Sequence, residues 1–281
     1  MALTDAKTST VITLGSTLSY AIIFALVRRV GPWRAKSTGA AAAEGGAAEP
    51  SSTTSSEVQQ LDLATRAVSF VNIGVCMVAC AQLALDPHSY EAVVDLEQAA
   101  FNSSPTRDFF LLVVSGYMIY DAVVLVAYAR LIGDPLMLVH HAVVVIGLQV
   151  GVRFQAATFY ISVLFVNEFS TIFLNIRYIL LYAGRSHEAA YVTNGVALLV
   201  SFFLCRMCMI TALVVHAAYA WWVLAFVRGL YWTRPVSDRF LFGGLTLLLV
   251  VHYVLNIVWF LKIVEHARRG LRRSMSKEKV R

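Results

Sequence analysis

The sequence predicts an all-α, polytopic membrane protein of about seven transmembrane helices. Of 281 residues, 58% are hydrophobic and only 14% are charged, against about 25% charged in a soluble domain. Mean hydropathy is +0.68. Uncharged runs of span length recur along the whole chain, separated by short charged stretches, and about 20 apolar residues suffice to cross a bilayer. This pattern excludes disordered, collagen-like and disulfide-scaffold classes.

Residues 11–27 are apolar and end at Arg28-Arg29. The basic residues follow the run instead of preceding it, so residues 1–30 read as a first span and not as a cleaved signal peptide. Residues 31–60 carry the stretch KSTGAAAAEGGAAEPSSTTSSE, whose small, polar composition cannot bury a core and is expected to be a disordered linker. Residues 61–265 form the main domain, with spans expected at 67–85, 109–129, 135–152, 154–176, about 193–216, and 240–261. From Ala189 to Val227 the only charge is Arg206, a run too long for one span and marginal for two. One span is expected there, with residues 217–238 as an interfacial loop whose Trp221, Trp222, Tyr231 and Trp232 lie in the aromatic belt. Residues 266–281 form a basic tail, and eight of the 23 Lys and Arg lie between Lys262 and Arg281.

Seven spans give a charge test. With the tail in the cytosol, that side collects Arg28, Arg29, Arg34, Lys36, Arg66, Arg130, Arg177, Arg185 and the eight tail cations, 16 in all. The other side collects Lys7, Arg107, Arg153, Arg228, Arg234 and Arg239, which makes six. The bias obeys the positive-inside rule, so the net charge of +6 speaks for a cytosolic tail near anionic lipid and not for nucleic acid. Lys277 and Lys279 are spaced as in the dilysine signal read by cytosolic coat proteins, which implies residence in the endoplasmic reticulum membrane.

Cys76 and Cys80, and Cys205 and Cys208, sit within apolar runs and read as small buried hydrophobes. No metal site and no cofactor is expected, and HExxH, GxSxG, P-loop and dinucleotide fingerprints are missing from the sequence. Chemistry instead gathers on polar groups that a bilayer tolerates poorly. Asp121, Glu168 and Arg206 each lie inside a span, where a charge costs about 2.5–3.5 kcal/mol, and such residues face a bundle interior and pair there. Helical spacing puts Tyr117, Asp121 and Tyr128 on one face, Glu168, Thr171 and Asn175 on another, and His252, Asn256 and Trp259 on a third. Three polar stripes predict one shared cavity, with an acid in salt-bridge reach of Arg206. His140 and His141 point about 100° apart, so only one can face the cavity squarely. A His beside an acid in such a place suits a general base or nucleophile, which makes His140, His141, Asp121 and Glu168 the candidate catalytic set.

The runs SGYMIYD (115–121), IGDPLMLVHH (132–141), NEFSTIFLNIRY (167–178), NGVALLVSFFLCR (194–206) and LNIVWFLKI (255–263) resemble the TLC domain. This membrane-protein family includes the ceramide synthases and the translocating-chain-associated proteins, and the similarity is greatest to its short branch. The resemblance implies a six-helix, barrel-like bundle around a lipid-accessible cavity, preceded here by one extra span. In ceramide synthases the histidine pair and downstream acids serve acyl transfer from acyl-CoA to a sphingoid amine. By that likeness His140 and His141 match the pair and Glu168 the first downstream acid. The sequence departs from the synthase pattern at Leu136, Thr171 and Asn72, where histidine, aspartate and histidine are expected. The function implied is lipid homeostasis, through binding or handling membrane lipid in the cavity. The alternative is an acyltransferase with acyl-CoA as substrate. A retinal-type receptor is disfavoured, because Lys262 stands at the end of the last span instead of its middle.

Overall fold

The computed structural model describes residues 5–30 and 52–278, with side chains described for 5–29 and 57–270. Among the described residues there is no strand, and seven helices are long and apolar enough to cross a membrane. They are α1 (Ala6–Val30), α2 (Ser52–Leu85), α3 (Pro105–Ala127), α4 (Pro135–Phe154), α5 (Thr158–Tyr182), α6 (Ala189–Val227) and α7 (Val236–Glu278).

Local chemistry sets where several of these begin. Ser104 caps α3 by accepting the Arg107 amide, and Asp134 caps α4 by accepting the Leu136 amide, each followed by proline at the first helical position. Proline there gives up an N–H that has no helical partner, and each cap is worth about 1 kcal/mol. Between α2 and α3, two short helices, Pro87–Val94 and Leu96–Phe101, are capped by Asp86 and Asp95. The acids of this loop are therefore partly spent on helix starts. Between α5 and α6, Arg185 donates to both carboxylate oxygens of Glu188 at 2.8 and 2.6 Å, and these bonds hold the Glu188 carboxyl below the usual carboxylate range.

Around the bundle α2 packs on α3, α3 on α4, α4 on α7, α7 on α6, α6 on α5, and α5 returns to α2. That closed ring is the barrel-like architecture expected from the sequence. The extra helix α1 lies outside the ring, against α3 and α2. Gly116 lets it approach: a Cβ there would stand 2.5 Å from the Ser16 Cβ. Ser16 Oγ donates to the Val113 carbonyl at 2.8 Å, Gln149 Nε2 donates to Thr13 Oγ1 at 3.1 Å, and Tyr20 packs edge-on against Tyr117 with centroids 5.2 Å apart.

Three boundaries differ from the sequence expectation. Helix α2 starts at Ser52, inside the stretch read as a linker, while residues 31–51 lie outside the described residues. Helix α6 runs on through Trp221 and Trp222 to Val227, and a short helix, Leu230–Thr233, carries Tyr231 and Trp232, so most of the aromatic segment read as an interfacial loop is helix. The physical reason is the lack of a breaker: neither Gly nor Pro occurs between Val196 and Arg228. The helix stops at Gly229, whose φ of 67° takes the left-handed conformation common past helix ends. Two π segments, Phe203–Cys208 and Val223–Val227, interrupt it. Helix α7 continues to Glu278, well into the basic tail. Lys279 lies outside the described residues, and the Lys277 side chain is likewise not described.

Candidate functional site

Inside the ring lies a cavity with about 850 Å³ of atom-free space, its mouth included. Its walls come from one stripe per helix. On α4 the stripe is His140, Val143, Val144, Gly147 and Leu148, the i, i+3, i+4, i+7 pattern of a single helical face. Helix α7 contributes Leu245, Thr246, Leu248, Leu249 and His252, and α5 contributes residues from Tyr160 to Glu168. Most of this lining is apolar. The polar groups His140, Asn167, Glu168, Arg206 and His252 come from the end of each helix's lining away from Tyr160, while Thr246, nearer Tyr160, turns its hydroxyl back to the Phe242 carbonyl at 2.8 Å.

Of the histidine pair, His140 lines the cavity. Its ring stacks on His252 with centroids 5.0 Å apart and meets Trp259 edge-on at 5.2 Å, and its Nδ1 has no hydrogen-bond partner. His141 turns away, as adjacent helical residues must. Its Nε2 sits 3.1 Å from Asp121 Oδ2, joining α4 to α3. The acid therefore orients the histidine that does not line the cavity.

Arg206 carries the π segment's polar function. Its Nε donates to Ser170 Oγ at 2.9 Å, Nη1 to Asn256 Oδ1 at 3.0 Å, and Nη2 to Thr171 Oγ1 at 3.0 Å. The guanidinium also lies over the Phe202 ring at 5.1 Å. The expected salt bridge to an acid is not formed: among the described residues Arg206 takes part in no ion pair. A guanidinium spreads its charge over five N–H groups, so three neutral oxygens suffice to hold it. Glu168 shares the cavity wall with Arg206 without forming a salt bridge to it.

The other stripe residues stand behind the wall. Thr171 and Asn256 support Arg206, and Asn256 Nδ2 donates to the His252 carbonyl at 2.8 Å. Tyr117 packs among Tyr20 and Tyr120. Asn175 belongs to a separate network between α5 and α2, where it donates to Ser69 Oγ at 3.0 Å and accepts from Arg66 at 3.2 Å. Arg66 in turn holds Asp62 at 2.9 Å and lies 3.6 Å over the Tyr178 ring. The spacing of Asp62 and Arg66, four apart on a helix, is the sequence signal for that pair. Sequence reasoning also passed over Asn167, whose Nδ2 lies 3.4 Å from His252 Nε2, and Tyr160, which lines the cavity at its other end. Asn167 immediately precedes Glu168 in an already noticed run, whereas Tyr160 gives no sequence signal. Among the described residues no group of three His, Cys, Asp or Glu is placed to hold a metal ion.

No curated protein and no solved structure matches the chain. A family model for the TLC domain matches residues 62–265, a range that includes the whole six-helix ring's lining and every histidine, acid and arginine just described. The ring, its single-stripe walls and this match agree: the chain belongs to the TLC-domain family of multi-pass membrane proteins.

Proposed function

We propose that this protein binds or handles a membrane amphiphile in the central cavity and thereby serves lipid homeostasis, and that within its family it belongs with the TLC domain-containing protein 4 branch. The observation that carries the reading is the polarity gradient of the cavity. One end offers a cation, two imidazoles, an amide and a carboxylate, and the remainder is mostly apolar, with the Thr246 and Tyr160 hydroxyls bonded to protein groups. A molecule with a polar head and an apolar tail matches both parts, whereas a fully polar solute would leave most of the wall without a favourable contact. The charge bias supports a cytosolic tail, and the endoplasmic reticulum is the membrane we propose, with cytosolic coat proteins reading Lys277 and Lys279.

The second reading is an acyltransferase of ceramide-synthase type using acyl-CoA. One observation favours it: His140 lines the cavity and its buried Nδ1 has no hydrogen-bond partner in the protein, which leaves an imidazole nitrogen uncommitted to the fold. The pairing of Asp121 with His141 instead of His140 weighs for binding, because the cavity imidazole lacks the orienting acid that catalytic histidines use. Purification in mild detergent followed by mass spectrometry of intact protein and extracted lipid separates the two. A reversibly bound amphiphile, lost on Arg206→Met, is the expected result. An acyl adduct on His140 would establish the enzyme reading, and a cavity empty of amphiphile would end both.

A further inference from the structure

We infer that Tyr160, braced by His216, is the floor of the cavity and sets the length of hydrocarbon chain it accepts at about ten carbons. This rests on the proposed binding of an amphiphile with its head near Arg206 and His140. Tyr160 lines the cavity and is only 3% exposed. Its hydroxyl lies 3.0 Å from His216 Nδ1, and His216 Nε2 lies 3.1 Å from the Val93 carbonyl. A carbonyl only accepts, so Nε2 donates to Val93, and in the neutral ring Nδ1 accepts from the tyrosine hydroxyl. The ring is thus fixed from α6 and, through Val93, from the short helix Pro87–Val94 that follows α2.

Tyr160 closes this end together with Ala157 and Ala217, which also line the cavity, and beyond them the chain cannot continue. Phe242, with its centroid 6.4 Å from the Tyr160 ring, is fully buried, as are Ala220 and Leu224, and none of these three lines the cavity. They belong to a packed cluster that also contains Phe159 and Tyr231.

The distance from head to floor follows from helix geometry. The lining spans seven residues on α7 (His252 to Leu245), eight on α4 (His140 to Leu148), and eleven along α5 and the residue before it (Glu168 to Ala157) and along α6 (Arg206 to Ala217), or about 10–17 Å at about 1.5 Å per residue. An extended chain with C–C bonds of about 1.5 Å advances about 1.3 Å per carbon, so about eight to thirteen carbons fill it.

The test measures affinity against chain length. Full-length protein in detergent is titrated with saturated fatty acids graded from about eight to about eighteen carbons, and affinity rises about fourfold per buried methylene until the floor is reached. The expected curve climbs to about ten carbons and then flattens or falls. Tyr160→Ala moves the break about two to four carbons longer. Gly147→Leu moves it shorter by a similar amount, because a Cβ at Gly147 meets no atom within 4 Å and so enters the cavity; this second variant also gains helix propensity and does not depend on the first one folding. Tyr160→Phe keeps the break, since the ring and not the hydroxyl blocks the chain. A wild-type curve that climbs through the longest acid, or breaks at the same length in both Tyr160→Ala and Gly147→Leu, overturns the floor. Lack of binding by any chain overturns the proposed function itself.

Discussion

His140 on α4 and His252 on α7 stack with ring centroids 5.0 Å apart and planes inclined by 29°, which couples two helices that meet across the cavity wall. The Asn167 amide holds the second ring of this pair from α5, with Nδ2 3.4 Å from His252 Nε2.

The first prediction is a double-mutant cycle on that bond. His252→Phe keeps the stack but leaves the Asn167 amide without an acceptor, which costs about 1–3 kcal/mol. Asn167→Leu in the same background removes the stranded amide and recovers most of the loss, because replacing both partners with apolar groups is close to neutral. Thermal unfolding in detergent reads the result. If the double variant loses the sum of the two single losses, the bond does not exist in the protein.

A second prediction concerns how α1 is held. Gly116→Leu puts a side chain where the Ser16 Cβ would stand 2.5 Å from its first carbon, and overpacking of this kind costs about 1–3 kcal/mol. Gly74→Leu is the control, since a Cβ there meets nothing within 4 Å and leucine improves helix propensity. The melting temperature falls for the first and holds or rises for the second. Equal behaviour would mean that α1 does not dock through Gly116.

The spans, the histidine pair and Arg206 were legible in the sequence because charges inside apolar runs stand out against a costly background. What the sequence did not reveal is which groups meet. Helical spacing placed Thr171, Asn175 and Glu168 on one face, yet one stripe of α5 is wide enough to touch α6, the cavity and α2 separately: Thr171 goes to Arg206, Glu168 to the cavity, and Asn175 to Ser69. The Asp121–His141 pair was foreseeable as a His near an acid, but the choice between adjacent histidines depends on the rotation of α4, which a two-residue pattern leaves open. The length of α6 was misjudged because hydropathy was weighed above helix breakers, and the breaker at Gly229 decided it.

The turn between α4 and α5 supplies a third prediction. Gln155 and Ala157 have φ of 53° and 55°, a conformation that costs an L-residue about 1–2 kcal/mol. Ala157 is held there by its amide, which donates to the Ala100 carbonyl at 2.8 Å. Ala157→Gly relieves the strain against a larger unfolded-state entropy, for a net gain of about 0.5–1 kcal/mol and a higher melting temperature. Gln155→Gly goes the other way, because the Gln155 side chain donates to Asp108 Oδ2 and to the Val152 carbonyl, both at 2.9 Å. A stability loss in Ala157→Gly would show that the turn is not strained in solution.

The last prediction separates the two tasks of Arg206. The π segment Phe203–Cys208 widens α6 at this residue, and such bulges recur at functional sites because they re-aim one side chain without ending the helix. Three hydrogen bonds, to Ser170, Asn256 and Thr171, fix the guanidinium plane against α5 and α7, and the same plane forms part of the cavity lining. Arg206→Lys keeps the charge but offers three donors from one nitrogen in place of a planar fork, so it cannot reach all three oxygens with the same geometry. Arg206→Met keeps the approximate length and loses both charge and donors. If the residue only braces the helices, both variants lose stability, by about 1–3 kcal/mol each for the stranded oxygens, and any amphiphile affinity left in folded protein is unchanged. If it also recognises the ligand's head, Arg206→Met loses at least tenfold in affinity for a carboxylate amphiphile, about 1.4 kcal/mol, while a fatty alcohol of equal length is affected far less. Arg206→Lys falls between. Melting temperature and paired titrations with acid and alcohol decide it, and a ratio of acid to alcohol affinity identical in wild type and Arg206→Met would restrict Arg206 to bracing.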